Sequence, residues 1–208
     1  KQGFDIVSSQ FSLHYYFKNE ETLRGFCENV RDLCSSGGYF IGTCYDGKKV
    51  FDMFSMVISD TVNMKDSHGS LIYQIKKLYD IESFDYEKDS LSSKEVMDSM
   101  LGNEIEVFMS SIGQPIIEYL VNFGFFVDIM SEYGFELSEL PPFRKGEFNP
   151  IKNPIEKFDI FISNMDEIKE KDNEFIKKTK KTDLYKVTPI SEYEVLSGLN
   201  NLFVFQKK

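Results

Sequence analysis

The stretch "QFSLHYYF", residues 10–17, sets four phenyl-type rings, a histidine and a glutamine side by side. Two chemistries suit it. It is either the packed end of a strand, or a wall that holds a flat ring by stacking, worth about 1–3 kcal/mol per stacked base. The rest of the chain shows no pairing of a nucleophile with a base. His68, the only other histidine, is remote from this stretch and reads as a surface-loop residue, and Asp46 and Asp60 carry no specific signal. The three cysteines, Cys27, Cys34 and Cys44, fit no zinc-ligand spacing, and no metal is expected. Cys27 and Cys34 stand seven apart on an expected helix, a packing arrangement.

The chain that positions these residues has 208 of them, enough for one large domain or a domain with an insertion. Its 41% hydrophobic content supports a core, while 28% charged residues, interspersed, read as soluble and globular. No apolar run reaches the roughly 18 residues needed to cross a bilayer, so no membrane partner is expected. The opening "KQGFDIVSSQ" lacks the pattern of a signal peptide and starts just before a strand, so the chain reads as cut from something longer. An odd cysteine count without a secretion signal points to a reducing, intracellular setting. The net charge of −10 opposes non-specific nucleic-acid binding, which calls for a basic face. If nucleic acid is the substrate, recognition is local, one base in a pocket. Lys48–Lys49, Lys76–Lys77 and "KKTKK" at 177–181 are candidate basic patches, each also readable as a solvated surface.

Periodicity then supplies the elements. Residues 4–13 alternate like a strand that turns into a loop. Asn19 is placed to cap a helix with Glu20 and Glu21 in its first turn and Leu23, Phe26, Val30 and Leu33 on one face. "SSGG" stops that helix, residues 39–44 form a strand, and Asp46-Gly47 makes a turn. Strand, helix, strand with short connections is the signature of a parallel α/β sheet. "HGSLIYQIKKLYDI" reads as an extended hairpin arm, "DYEKDSLSSKEVMDSM" as a polar insertion or short helix, and "NEIEVFMSSI" as a strand. The periodicity predicts a long helix from near Pro115 to Gly134, with Tyr119, Phe123, Phe126 and Met130 as core. "FELSELPPF" is a strand ending at two prolines, residues from 153 to 181 are helical and then loose, and "NLFVFQKK" is a closing strand. In open α/β sheets ligands lie beyond the carboxyl ends of the strands, where Gln10–Tyr15 and "CYDG" (44–47) would sit.

In this order, "FDIVSSQFSLHYYF", "GGYFIGTCYDGKKV", "HGSLIYQIKKLY" and "SSIGQPIIEYLVNFGFFVDIMSEYGFEL" resemble the mRNA cap guanine-N7 methyltransferases, from residue 4 to about 143 and again at "NLFVFQKK". The "YDG" turn and "SSIGQP" are most similar to the C-terminal methyltransferase part of capping enzymes of large DNA viruses. The resemblance implies a class I S-adenosylmethionine-dependent methyltransferase, a Rossmann-like α/β fold. This chain would supply strands 4 to 7, its C-terminal portion. Residues 55–112 would form an inserted arm, with the N-terminal strands and their glycine-rich loop absent. It implies that Gln10, Phe11, Ser12 and Tyr15 face S-adenosylmethionine, the methyl donor, and that His14, Tyr15, Phe11 and Glu118 face the cap guanine. Tyr45 joins the guanine set because Cys44-Tyr45 stands where many cellular members have a cap-touching proline. Asn200 or Asn201 occupies the place of a family tyrosine over the cap.

Chemistry agrees with that assignment. Guanine offers N1–H and the N2 amine as adjacent donors, and one ionised carboxylate accepts both. Adenine lacks the pair, so Glu118 would discriminate. N7 is already nucleophilic and a sulfonium methyl is electrophilic, so proximity, alignment and electrostatics suffice and no general base is required. The implied partners are capped RNA and other capping-enzyme domains or a stimulatory subunit, in a virion or host cytoplasm if viral and the nucleus if cellular. Two rival readings stay open: a non-catalytic, methyltransferase-like stimulatory subunit, and a methyltransferase acting on a small molecule.

Overall fold

A computed structural model describes residues 3–66, 68–91, 93–138, 155–157 and 198–208. Two sheets share one aromatic core. The first begins with β1 (Phe4–Gln10), which runs into a 3-10 turn at Leu13–Lys18 and then α1 (Glu20–Leu33). Asn19 caps α1 as expected: its side chain accepts from the Thr22 amide at 2.9 Å and the Thr22 hydroxyl accepts from the Asn19 amide. Leu23, Phe26 and Val30 are buried, but Leu33 is half exposed because the helix gives way to β2 at the next residue. β2 (Cys34–Tyr45) pairs parallel with β1 and is longer than the expected 39–44; its ladder with β1 is irregular between Phe4 and Ile6. Cys34 therefore opens a strand instead of ending a helix.

Asp46-Gly47 is the start of α2 (Gly47–Ser55), not a simple turn. The Asp46 carboxylate accepts from the Lys48 amide at 3.0 Å, which converts a turn dipeptide into a helix cap. Gly47 donates its amide to the Val121 carbonyl at 2.8 Å, and a Cβ there would collide with the Val121 backbone.

The second sheet is antiparallel, in the order β3 (Thr61–Lys65), β4 (Leu71–Lys77), β5 (Glu104–Met109), β6 (Pro115–Tyr119). The β3–β4 pair is the expected hairpin, with His68 exposed in its turn, and α3 (Lys94–Met100) precedes β5. Residues paired across the ladders share a face. Tyr73, Ile75, Val107, Ile105, Ile116 and Glu118 thus line one side, on which Ile75, Val107 and Ile105 are buried.

The long helix expected from Pro115 divides in two. "PIIEY" is the edge strand β6, with the proline at its first residue, where a missing amide costs nothing. Asn122 then caps α4 (Phe123–Glu132) by accepting from the Phe125 amide at 3.2 Å, and its amide group donates to the Phe84 carbonyl. Apolar residues three to four apart continue across both pieces, and this hid the boundary. Tyr119 ends the strand instead of beginning a helical face.

The chain returns to the first sheet with β7 (Phe135–Leu137), β8 (Ile155–Lys157) and β9 (Asn200–Lys207). Its order is β1-β2-β9-β7, with β8 beside β9; β9 runs antiparallel to β2 and β7. Ile155–Lys157 is therefore a strand where a helix was expected, and the run at 177–181 lies outside the described residues. Phe40, Phe126, Phe135, Phe203 and Phe205 meet at ring separations of 5.3–6.4 Å over the centre of this sheet.

Candidate functional site

Three elements converge beyond the carboxyl ends of β1 and β2. The 3-10 turn brings His14 and Tyr15, the end of β2 brings Cys44 and Tyr45, and β6 brings Glu118. His14 is only 4% exposed. Its ring stacks on Tyr45 at 5.0 Å and 11°, and meets Tyr15 edge-on at 4.3 Å and 66°. Nδ1 lies 3.6 Å from Cys44 Sγ. Nε2 is buried without a hydrogen-bond partner, and Glu118 Oε1 stands 3.5 Å away. Tyr45 donates its hydroxyl to the Tyr119 carbonyl at 3.1 Å, which ties β2 to β6 across the site.

The electrostatics are those of a dry pocket. Burial pulls His14 down to about 4, so the ring is neutral at physiological pH. Burial pushes Glu118 up to about 7, and the nearby Tyr45 and Tyr15 hydroxyls oppose that rise. The His14–Glu118 contact is thus not an ion pair near neutrality. Burial raises Tyr45 and Cys44 well above their usual ranges, with Glu118 adding to both, so the thiol and the phenol stay protonated. A neutral imidazole, phenol hydroxyls and one carboxyl on the edge of ionising form a set that can bind a flat, polar-edged ring.

The sequence-predicted residues separate into two groups. His14, Tyr15, Tyr45 and Glu118 come together. Gln10 and Ser12 instead line a cavity of about 310 Å³ between β1, β2 and α1. There Gln10 accepts from the Thr43 hydroxyl at 2.7 Å and donates to the Ser8 hydroxyl, and the Ser12 and Ser9 hydroxyls are 2.8 Å apart. Phe11, 51% exposed, takes a left-handed backbone with φ 50°, held by its amide on the Thr43 carbonyl at 2.8 Å. A phenylalanine in that region is strained by about 1–3 kcal/mol, and such strain gathers at ligand sites. The rings of Phe11 and Tyr15 at the end of β1 are both half exposed. Asn201 is buried, donating to Asp46 Oδ2 at 2.9 Å and accepting from Lys49, so it supports the "CYDG" turn.

Sequence reasoning missed Tyr73. It lies on β4, on the same face as Glu118, and the Glu118 charge joins burial in raising its phenol. The signal that finds it is strand register: pairing through β5 places it on that face, and no motif marks it. Cys44 was noticed as a non-zinc cysteine at a strand end and as a departure from the family pattern, with no role assigned to it.

β9 runs antiparallel between β2 and β7, with aromatic residues beyond the strand ends, in a mixed α/β fold of the class I, Rossmann-like methyltransferase type. The chain belongs to the family described as mRNA (guanine-N(7))-methyltransferase domain, whose model matches residues 1–208. The mRNA cap guanine-N(7) methyltransferase of Saccharomyces cerevisiae is 31% identical over 154 residues, covering 74% of this chain and 33% of the yeast protein. The "Probable mRNA-capping enzyme" of Acanthamoeba polyphaga mimivirus is 28% identical over 160 residues, covering 74% of this chain and 12% of the viral protein. The chain thus spans a third or less of each of these relatives. Among solved structures, a S-adenosylmethionine-dependent methyltransferase from Clostridium acetobutylicum aligns with all of this chain and 59% of its own, at 11% identity and a TM-score of 0.41.

No helix among the described residues is long and apolar enough to cross a membrane.

Proposed function

We propose that this chain supplies the base pocket of an mRNA cap guanine-N7 methyltransferase, which transfers methyl from S-adenosylmethionine to N7 of a 5′ GpppN end. The observation that carries this reading is the buried Glu118 carboxyl beside the unpartnered His14 Nε2, in a cluster walled by tyrosines. Ionised Glu118 accepts guanine N1–H and N2–H, while His14 Nε2–H meets O6. Tyr15, Tyr45 and Phe11 line the base, leaving N7 unengaged. In this reading residues 10, 11, 12 and 15, at the end of β1 and the start of the turn, face the cofactor, and Phe11 and Tyr15 serve both sides. When bound, S-adenosylmethionine supplies an electrophilic methyl on sulfur. The protein's part is to hold the guanine plane, exclude water and place a carboxylate where the ring gains positive charge.

In this reading residues 55–112 are an arm inserted into one methyltransferase domain, and its sheet is completed by β6, the strand that carries Glu118. Capped RNA is the partner, with other capping domains or a stimulatory subunit alongside, inside the cell.

The test is methyl transfer to GpppRNA by the full-length protein. Glu118→Ala is expected to raise the KM for capped RNA at least a hundredfold, because a site that lost its carboxylate no longer reads the donor pair. Near wild-type turnover at low cap concentration refutes the assignment.

A further inference from the structure

Recognition of guanine O6 needs a proton on His14 Nε2, the buried nitrogen that faces Glu118 and has no partner of its own. A neutral imidazole carries one proton, and the partner of the other nitrogen decides where it sits. For His14 that partner is the Cys44 sulfur, 3.6 Å from Nδ1. We propose that the Cys44 thiol donates to Nδ1 and so holds His14 as the Nε2–H tautomer, which makes Cys44 a positioning residue for guanine recognition. This rests on the reading of the cluster as a guanine pocket.

The geometry supports the donor role. Cys44 is fully buried on β2, in register with Asn201 of β9, and its sulfur lies 3.6 Å from Nδ1. Burial also keeps it a thiol, and a thiol carries a proton to donate while its sulfur accepts only weakly. The opposite tautomer would put Nδ1–H on sulfur and turn the Nε2 lone pair toward the carboxylate, acceptor against acceptor once Glu118 is ionised. Bound guanine would add O6, a third acceptor. The ring cannot relieve this by flipping freely, because Tyr45 stacks on one side and Tyr15 closes in edge-on. The neighbouring residues Cys44 and Tyr45 thus set the tautomer and the plane of one histidine.

The experiment uses the full-length protein and measures kcat and KM for GpppRNA, with GTP and ATP as competitors. Cys44→Ala and Cys44→Val, which lack a donor, are expected to raise the KM about five- to tenfold with kcat within twofold. Cys44→Ser, whose hydroxyl donates, is expected to restore most of the loss. In a His14→Ala background the same three changes are expected to have no further effect on KM. Equal losses in all three variants, or losses that persist without His14, overturn the proposal and leave Cys44 as packing. Should Cys44→Ala fold poorly by circular dichroism, the near-isosteric Val and Ser pair decides alone. A wild-type protein that GTP inhibits no better than ATP refutes the guanine pocket itself, and the proposal with it.

Discussion

A carboxyl buried beside a neutral imidazole is a costly arrangement, and in the proposed pocket the paired N1–H and N2–H donors of guanine would offset that cost. Glu118 is held up at about 7 by burial, and around it His14 stays neutral down to about 4 while Tyr15, Tyr45, Tyr73 and Cys44 are all raised. Between pH 5 and 8 Glu118 is thus the group of this cluster whose charge changes. A protonated carboxyl cannot accept both guanine donors. Affinity of the full-length protein for a cap analogue is therefore expected to fall about tenfold per pH unit below about 7 and to level off above it. Glu118→Gln should flatten that profile as well as lower affinity; isothermal titration from pH 5.5 to 8 reads both. The sign for stability is opposite. The folded pKa of Glu118 lies above the usual value of 4.5, so the folded protein holds this proton longer than the unfolded chain, and stability falls as pH rises from 4.5 to about 7. Tyr45→Phe removes a hydroxyl that favours the ionised carboxylate and bonds the Tyr119 carbonyl. It should move the binding midpoint to higher pH and weaken cap-analogue binding several-fold at pH 7, an interaction of about 1 kcal/mol.

The elements explain why much of this site was visible in the amino-acid sequence and part of it was not. The turn after β1 was legible because Gln10 to Phe17 carry unusual residue types in a contiguous stretch, and the α1 cap because Asn19 followed by Glu20 and Glu21 is a local signal. Glu118 was legible through its motif, but its element was misread: "PIIEYLVNFGFF" keeps a helical apolar spacing across a strand, a connection and a helix. Tertiary pairing with β5 overrode that periodicity. Tyr73 was invisible because register between strands more than thirty residues apart, not local pattern, puts it on the face of Glu118. The boundary itself can be tested. Asn122 caps α4 and also donates to the Phe84 carbonyl, so Asn122→Ala should cost about 1–2 kcal/mol in stability and loosen β6. Hydrogen exchange on the full-length protein should show faster exchange at Phe125 and Phe126, with a raised cap KM, whereas a helix running unbroken from Pro115 would gain from the alanine.

At the scale of the molecule, β9 is an interior strand of the first sheet among the described residues. β9 lies between β2 on one side and β7 and β8 on the other, so this sheet is incomplete until residues 200–207 are in place. Its Phe203, Val204 and Phe205 are fully buried, and both phenylalanines stack into the cluster around Phe40 and Phe126. Asn201 on the same strand holds Asp46, the cap of α2, next to the Cys44-Tyr45 pair that faces His14. The strand therefore links core packing to the site. Phe205→Ala should cost about 3–5 kcal/mol, the usual loss for a buried ring of this size. Asn201→Ala removes a buried hydrogen bond and should cost about 1–3 kcal/mol. The two should separate in function. Phe205→Ala in the full-length protein is expected to lower the temperature of inactivation while leaving the cap KM of the surviving enzyme unchanged. Asn201→Ala should raise that KM, because the turn carrying Tyr45 is released. Thermal inactivation and methyl-transfer kinetics on the same preparations distinguish them, and an unchanged KM in Asn201→Ala would mean that β9 supports the core alone.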